Sequence, residues 1–151
     1  MANDRIEKQI EIAAPVSRVW QALTDSRQFG EWFLVKMDGP FVAGQRVGGQ
    51  ITHPGYEHLR MQIEVKSIQP ETLFSYKWHP YAIDPKIDYE QEESTLIEFR
   101  LRPTAVGTLL TVTESGFDKI PNERRAEAFL RNDGGWAQQM KNIQTYVSKA
   151  A

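Results

Sequence analysis

Residues 121–148 read PNERRAEAFLRNDGGWAQQMKNIQTYVS, and this stretch predicts one long C-terminal helix. Its apolar side chains recur every three or four residues and form one stripe, made of Phe129, Trp136, Met140, Ile143 and Val147. At about 1.5 Å per residue the helix would span ~40 Å, enough to cross a whole sheet. Gly134 and Gly135 interrupt it, and each glycine costs a helix interior about 1 kcal/mol. We therefore expect a bend or a close approach to the helix backbone there. A ligand or a strand could make this approach, but packing against the N-terminal helices is the favoured explanation.

The residues at the start of the chain predict a strand followed by two short helices. Residues 5–13 alternate between apolar and polar side chains, as in a half-buried strand. Pro15 suits the first position of the next helix, where no hydrogen bond from its nitrogen is needed. Asp25 and Gln28 have the spacing of a capping box for a second helix. The apolar helix faces are Val16, Val19, Trp20 and Leu23, then Phe29, Trp32 and Phe33.

Alternating patterns between the second helix and the last one predict an antiparallel sheet. Glycines and prolines separate these segments, so we expect turns between the strands. Besides the first strand, the patterns assign strands to residues 46–52, 59–66, 74–78, 95–102 and 108–115. This order predicts an α+β domain in which a curved antiparallel sheet of six to seven strands wraps around the long helix. Helix and sheet do not fill such a concavity completely, so a pocket between them is expected.

Length and composition narrow the class of protein. The chain has 151 residues without a linker or repeat, so we expect one domain over residues 1–151. It has no cysteine, which excludes disulfides and thiolate chemistry, and its polar first residues lack a secretion signal. The net charge of −2 comes without a basic stripe, which argues against nucleic acid as a partner. No apolar run reaches the ~20 residues of a membrane span, and together these features indicate a cytoplasmic protein.

Five stretches carry the signature of a known family, in the expected order. They are IEIAAPVSRVWQALTD at 10–25, FGEWF at 29–33, FSYKWHP at 74–80, the hairpin STLIEFRLRP at 94–103 with VGTLLTVTESGF at 106–117, and NDGGWAQQMKNIQTYV at 132–147. Together they resemble the bacterial stand-alone members of the activator-of-heat-shock-protein-90-ATPase family. That family belongs to the SRPBCC, or START-like, superfamily, and the resemblance covers essentially the whole chain.

The resemblance implies a helix-grip fold like that of the birch pollen allergen, with an internal cavity. Many members of the superfamily bind lipids, sterols, polyketides or aromatic compounds, and some are cyclases or hydrolases. The eukaryotic namesake is a co-chaperone with an additional N-terminal domain that makes much of the chaperone contact, whereas the first strand here begins at about residue 5. A small hydrophobic ligand is therefore the expected partner, ahead of a chaperone or a weak homodimer.

The inward faces of strands and helices predict an aromatic, adaptable lining for the cavity. A flat apolar ligand would stack on these side chains. Ordinary core packing is the alternative for each of them, because apolar periodicity does not distinguish a core from a ligand site. The predicted ligand-binding residues are Trp32, Met61, Ile63, Tyr76, Trp78, Phe99, Val112, Glu114, Trp136 and Met140.

Glu114 is the sharpest single feature of the predicted pocket. Strand alternation places it inward, on the same face as Leu110 and Val112. A carboxylate on an apolar face must be paired, hydrated or protonated, because an isolated buried charge is costly. Glu114 is thus a candidate ligand anchor or general acid/base. The alternatives are a wet position at the pocket mouth and a pairing with an arginine.

The sequence indicates neither a metal nor a cofactor. His53, His58 and His79 are the only histidines, and their spacing matches no metal motif. His79 ends a strand near the expected pocket mouth, where a solvated turn position is favoured. The segment 79–93 contains prolines and several acidic residues, and is either a lid over the pocket or a solvated excursion.

Three functions are compatible with these residues. The first is binding of a small apolar, aromatic or lipid-like ligand, motivated by the inward aromatics. The second is a cyclase or hydrolase that uses Glu114, Tyr76 or His79 as acid/base groups, and the third is a co-chaperone-like interaction module. No nucleophile constellation is visible, so ligand binding ranks first and an enzyme is the lesser expectation.

Overall fold

The computed structural model describes residues 5–80 and 93–149. Its elements in chain order are β1 (Arg5–Ile12), α1 (Val16–Thr24), α2 (Ser26–Phe33), β2 (Val35–Met37), β3 (Arg46–Ile51), β4 (Arg60–Gln69), β5 (Leu73–Trp78), β6 (Thr95–Pro103), β7 (Thr108–Ser115), a 3-10 turn (Phe117–Lys119) and α3 (Asn122–Lys149). The predicted lid falls mainly on residues 81–92 and so lies outside the described residues.

The strands form one seven-stranded antiparallel sheet in the order β1-β7-β6-β5-β4-β3-β2. In the β6–β7 pair, the register places inward-facing side chains opposite each other, as the alternation of apolar and polar residues requires. Ile97 lies opposite Glu114, and Leu101 lies opposite Leu110. One face of this curved sheet packs against α3, and the buried side chains of both form a single core. The predicted α+β helix-grip architecture is confirmed.

The six strands read from the sequence are all present, and the seventh, β2, was missed. It has only three residues, too few for alternation to be recognised. The chain enters it through Leu34, which ends α2 in the left-handed conformation with φ 67°. Gly30 allows the tight approach, because a Cβ on it would lie 2.1 Å from the backbone oxygen of Val35.

The first two helices follow their predicted apolar faces, but their caps differ in detail. Pro15 precedes α1 as its N-cap residue instead of occupying the first helical position. The Asp25 side chain caps α2 by accepting hydrogen bonds from the backbone N–H groups of Arg27 and Gln28. The reciprocal half of the capping box does not form, because the Gln28 side chain accepts a bond from Arg18 at 2.8 Å instead.

The C-terminal helix α3 runs without interruption through both glycines. Packing of the N-terminal helices at Gly134 and Gly135 was a wrong prediction, since a Cβ built on either would have no neighbour within 4 Å in the part of the chain that the structure describes. The predicted apolar stripe is otherwise correct, because four of its members are buried and Phe129 packs partly buried against the core. Although α3 has 28 residues, neither it nor any other described helix is apolar enough to cross a membrane.

Candidate functional site

A completely buried carboxylate, that of Glu114, lies near the end of β7 beneath α3. Side chains from β5, β6 and α3 converge on it and donate five hydrogen bonds. Oε1 accepts from Trp136 Nε1 at 2.8 Å and Asn132 Nδ2 at 2.9 Å, and Oε2 accepts from Trp78 Nε1 at 2.8 Å, Thr95 Oγ1 at 2.5 Å and Asn132 Nδ2 at 3.1 Å.

These contacts explain how the inward carboxylate is accommodated. An ionised carboxylate is an acceptor with about four lone-pair sites, and indole N–H groups can only donate. The set therefore satisfies the acceptor capacity of Glu114 almost completely, which offsets the cost of its burial. The donors are two indoles, an amide and a hydroxyl, all neutral, and not the arginine that was one of the alternatives.

The two tryptophans bound to Glu114 also form the wall of a cleft. Their rings stack with centroids 5.7 Å apart and an angle of 27° between the planes. Phe33 completes the aromatic surface, with its ring centroid 6.0 Å from that of Trp78 and 6.1 Å from that of Trp136. The other described lining residues come from α3; they are Asn132, Gly135 and Gln139.

The helix supplies its lining residues from one face. Positions 132, 135, 136 and 139 are related as i, i+3, i+4 and i+7, so they project to the same side of α3. Gly135 is exposed, and the cleft therefore opens to solvent along this edge of the helix. Trp78 and Phe33 are half-buried, so part of each ring surface is also accessible.

The cleft is small. Its volume is about 90 Å³, which is room for about three water molecules at the ~30 Å³ each occupies in the liquid. Pockets that enclose whole drug-sized molecules have roughly 300–1,000 Å³. An enclosed cavity that binds benzene has ~150 Å³, so an aromatic ring can enter this open cleft only in part, and the rest of a bound molecule must extend beyond it.

The structure divides the predicted ligand-binding residues into two groups. Trp78 and Trp136 line the cleft, and Glu114 lies directly behind them. The remaining predicted residues are buried in the continuous core, as the alternative interpretation had it; they are Trp32, Met61, Ile63, Tyr76, Phe99, Val112 and Met140. They support the cleft from behind, since Tyr76 contacts Trp78 and Phe99 contacts Trp136, with ring centroids 5.6 Å apart in both pairs.

Five of the described residues of the site were not predicted: Phe33, Thr95, Asn132, Gly135 and Gln139. Helical spacing from Trp136 could have identified those on α3, because Asn132 and Gln139 lie four residues before it and three after it. Thr95 lies two residues from Ile97, the cross-strand partner of Glu114, on the same sheet face. That makes it a diagonal neighbour of Glu114, a relation that requires the strand register to be known.

Tyr76 is a further buried polar residue close to Glu114. Its hydroxyl is completely buried and has no hydrogen-bond partner among the described residues. Burial raises the pKa of Tyr76 well above its usual value, and the negative charge of Glu114 raises it further. The hydroxyl therefore keeps its proton in the folded protein far into the alkaline range.

His79 lies apart from the carboxylate site. It lines a second cleft, of about 50 Å³, and Trp78 is the only described residue that lines both clefts. Within residues 5–80 and 93–149 no three histidine, aspartate or glutamate side chains are grouped as metal ligands would be. The first cleft thus offers aromatic faces and two side-chain amides, and behind them lies a carboxylate whose hydrogen-bonding capacity is already used.

Solved structures of bacterial proteins share this fold over nearly the whole chain. The protein MLL2253 from Mesorhizobium loti is 27% identical, with a TM-score of 0.76 over 97% of this chain and 98% of that chain. NE0264 from Nitrosomonas europaea has a TM-score of 0.76 at 16% identity, covering 99% of this chain and 97% of its own. A protein from Arthrobacter aurescens has a TM-score of 0.77 at 17% identity, covering 97% and 87%.

The sequence itself identifies the family. No curated protein matches the chain significantly. Residues 13–148, from the residue after β1 to the last turn of α3, match the family described as activator of Hsp90 ATPase homolog 1-like protein. The matched range contains both short helices, the hairpin that carries Glu114 and the helix that carries Asn132 and Trp136. The chain therefore belongs to the activator of Hsp90 ATPase homolog 1-like family.

Proposed function

We propose that the protein binds a small aromatic molecule that carries a hydrogen-bond donor, in the cleft formed by Phe33, Trp78 and Trp136. The observation that carries this proposal is the stacked indole pair whose N–H groups are both bound to one buried carboxylate. Aromatic faces prefer stacked or edge-to-face partners, and such contacts contribute about 0.5–1.5 kcal/mol beyond the burial of apolar area.

Glu114 prepares these rings for binding. Each indole N–H is fixed at 2.8 Å from a different oxygen of the same carboxylate. The two rings are thereby held in their stacked arrangement before any ligand arrives, so binding does not have to order them. We assign Glu114 the role of a positioning residue for the cleft.

Asn132 supplies the polar contact that selects a donor on the ligand. Its Nδ2 must face Glu114, because the carboxylate accepts and does not donate. The carbonyl oxygen Oδ1 is thus directed away from Glu114, and none of the described residues donates a hydrogen bond to it. A phenolic O–H or an aromatic N–H at the edge of a bound ring matches this acceptor.

An enzyme that uses Glu114 as acid or base has less support. A general base must have a free lone pair within hydrogen-bond reach of the proton that it removes. Five donated hydrogen bonds already occupy the oxygens of Glu114, and the carboxylate is completely buried behind the tryptophans. A ligand in the cleft would meet the accessible part of the Trp78 ring and Asn132 before it met the carboxylate.

Isothermal titration calorimetry with 2-naphthol tests the proposal. This probe has a ring for the cleft and one donor, and we expect a Kd on the order of 100 µM from its size. Two controls separate the contributions: 2-methoxynaphthalene lacks the donor, and decahydro-2-naphthol lacks the aromatic rings. Each should bind about three- to tenfold more weakly than 2-naphthol. Absence of 2-naphthol binding at millimolar concentration would refute the proposal.

A further inference from the structure

Gly134 and Gly135 lie in the middle of α3, where glycine weakens a helix relative to alanine. Two ordinary reasons for a glycine are missing at both positions. Neither has the left-handed backbone conformation that favours glycine, and a Cβ on either would meet no atom of the described residues within 4 Å. The protein thus carries two destabilising residues that its own packing does not require.

The two glycines differ in where a side chain would project. Successive residues of a helix are rotated by about 100°, so positions 132, 135, 136 and 139 share one face and position 134 lies on the opposite side. Gly135 accordingly lines the cleft, whereas Gly134 does not. Nothing in the structure explains the glycine at position 134.

Because the cleft is small, a larger ligand would need the open space at Gly135. About 90 Å³ admits part of one ring against Phe33, Trp78 and Trp136. A larger molecule must leave the cleft along its open edge, where Gly135 is exposed to solvent. A methyl group at position 135 would project from the same helix face as Asn132 and Gln139 and would narrow this edge.

We infer that Gly135 is a specificity-determining position, whose missing side chain admits the second ring of a fused bicyclic ligand. This inference rests on the proposed function and extends it from one aromatic ring to a ligand class of two fused rings. The first ring lies against the stacked tryptophans. The second passes over Gly135, where only backbone atoms limit its approach.

The experiment compares G135A with the matched variant G134A in the full chain. Both substitutions remove a helical glycine, so each should raise the Tm by about 2–4 °C. Only G135A should impair binding. By calorimetry, the Kd for 2-naphthol should be about tenfold higher in G135A and within twofold of the wild-type value in G134A. Phenol, which needs only the inner part of the cleft, should bind wild type and both variants equally.

Each outcome decides between the two ideas. If wild type binds neither phenol nor 2-naphthol, the proposed function itself is wrong. If wild type binds 2-naphthol and G135A binds it as well as G134A does, the binding proposal stands and the role of Gly135 is wrong. If G135A binds phenol and 2-naphthol more weakly by the same factor, position 135 does not select ligands by size and the inference is wrong. A lower Tm in G135A alone would show that position 135 needs glycine for packing, which also overturns the inference.

Discussion

Glu114 is the residue on which the geometry of the cleft depends. Alternation along β7 places it inward, and the sequence predicted this correctly. The same pattern could not identify its partners, because Trp78, Thr95 and Asn132 come from β5, β6 and α3. Their convergence depends on strand register and on the rotation of α3, which are set by packing and not by local periodicity.

Replacing Glu114 by glutamine should destabilise the protein by about 2–4 kcal/mol. The new amide NH2 group would face donors that have no other acceptor among the described residues, and charge-assisted hydrogen bonds would be lost. Urea denaturation measures the change in the free energy of unfolding. Calorimetry on the folded variant should also show weaker 2-naphthol binding, because the indoles are no longer fixed.

Glu98→Gln is the matched control for this substitution. Glu98 lies on the neighbouring strand and forms an ion pair with Arg100 at 2.9 Å, with a side chain that is 24% exposed. Its replacement should cost less than about 1 kcal/mol and leave binding unchanged. Equal effects of E98Q and E114Q would contradict the role given to the buried hydrogen-bond set.

The hydroxyl of Tyr76 leads to a prediction about pH. The pKa of Tyr76 is raised in the folded state, chiefly by burial and then by the charge of Glu114. In the unfolded chain the same group has a pKa of about 10. The protonated hydroxyl of Tyr76 therefore makes its full contribution to the free energy of unfolding below about pH 10. As the pH rises further, the free energy of unfolding falls by up to ~1.4 kcal/mol per pH unit.

Tyr76→Phe should remove this alkaline loss of stability. At pH 7 the variant should be at least as stable as wild type, by up to about 1 kcal/mol, because the hydroxyl removed has no described partner. Above pH 10 its advantage should grow. Urea unfolding between pH 7 and 11 measures both effects. A variant that is less stable at pH 7 and parallel to wild type at higher pH would show that the hydroxyl is hydrogen-bonded in the folded protein.

At the scale of elements, the periodicity of the sequence predicted the long and regular helices and strands. The stripe of α3 and the alternating strands β4, β6 and β7 each offer several repeats of one pattern, so their existence and faces could be read directly. The three-residue strand β2 offers less than two repeats and was missed. Its position depends on the reversal at Leu34 and on the close approach at Gly30, which are tertiary features.

The glycines of α3 show the limit of interpreting one residue type by its commonest use. Glycine in a helix often marks close packing, and this predicted contact with the N-terminal helices. The structure instead has open space at both positions. A sequence pattern cannot distinguish space filled by another element from space left free beside a cleft, because both require the same small residue.

At the scale of the whole molecule, the order of elements predicted the helix-grip fold. It did not predict how completely side chains fill the space between the sheet and α3. Seven of the ten predicted ligand-binding residues pack into the core, and the cleft of about 90 Å³ lies at one edge of it. Cavity size follows from how side chains interdigitate, and apolar residues on an inward face serve a core or a pocket equally well. The account of function therefore depends on the cleft, not on the fold.

A titration of the ¹⁵N-labelled protein with 2-naphthol, followed through its indole N–H signals by NMR, tests the cleft most directly. The chain has four tryptophans, and two of them, Trp20 and Trp32, do not line the cleft. Trp32 donates its N–H to the backbone oxygen of Ala22 at 2.8 Å and serves as an internal control. We predict that the signals of Trp78 and Trp136 shift together and saturate while those of Trp20 and Trp32 stay in place. Shifts confined to Trp20 and Trp32, or none at all, would contradict ligand binding in this cleft.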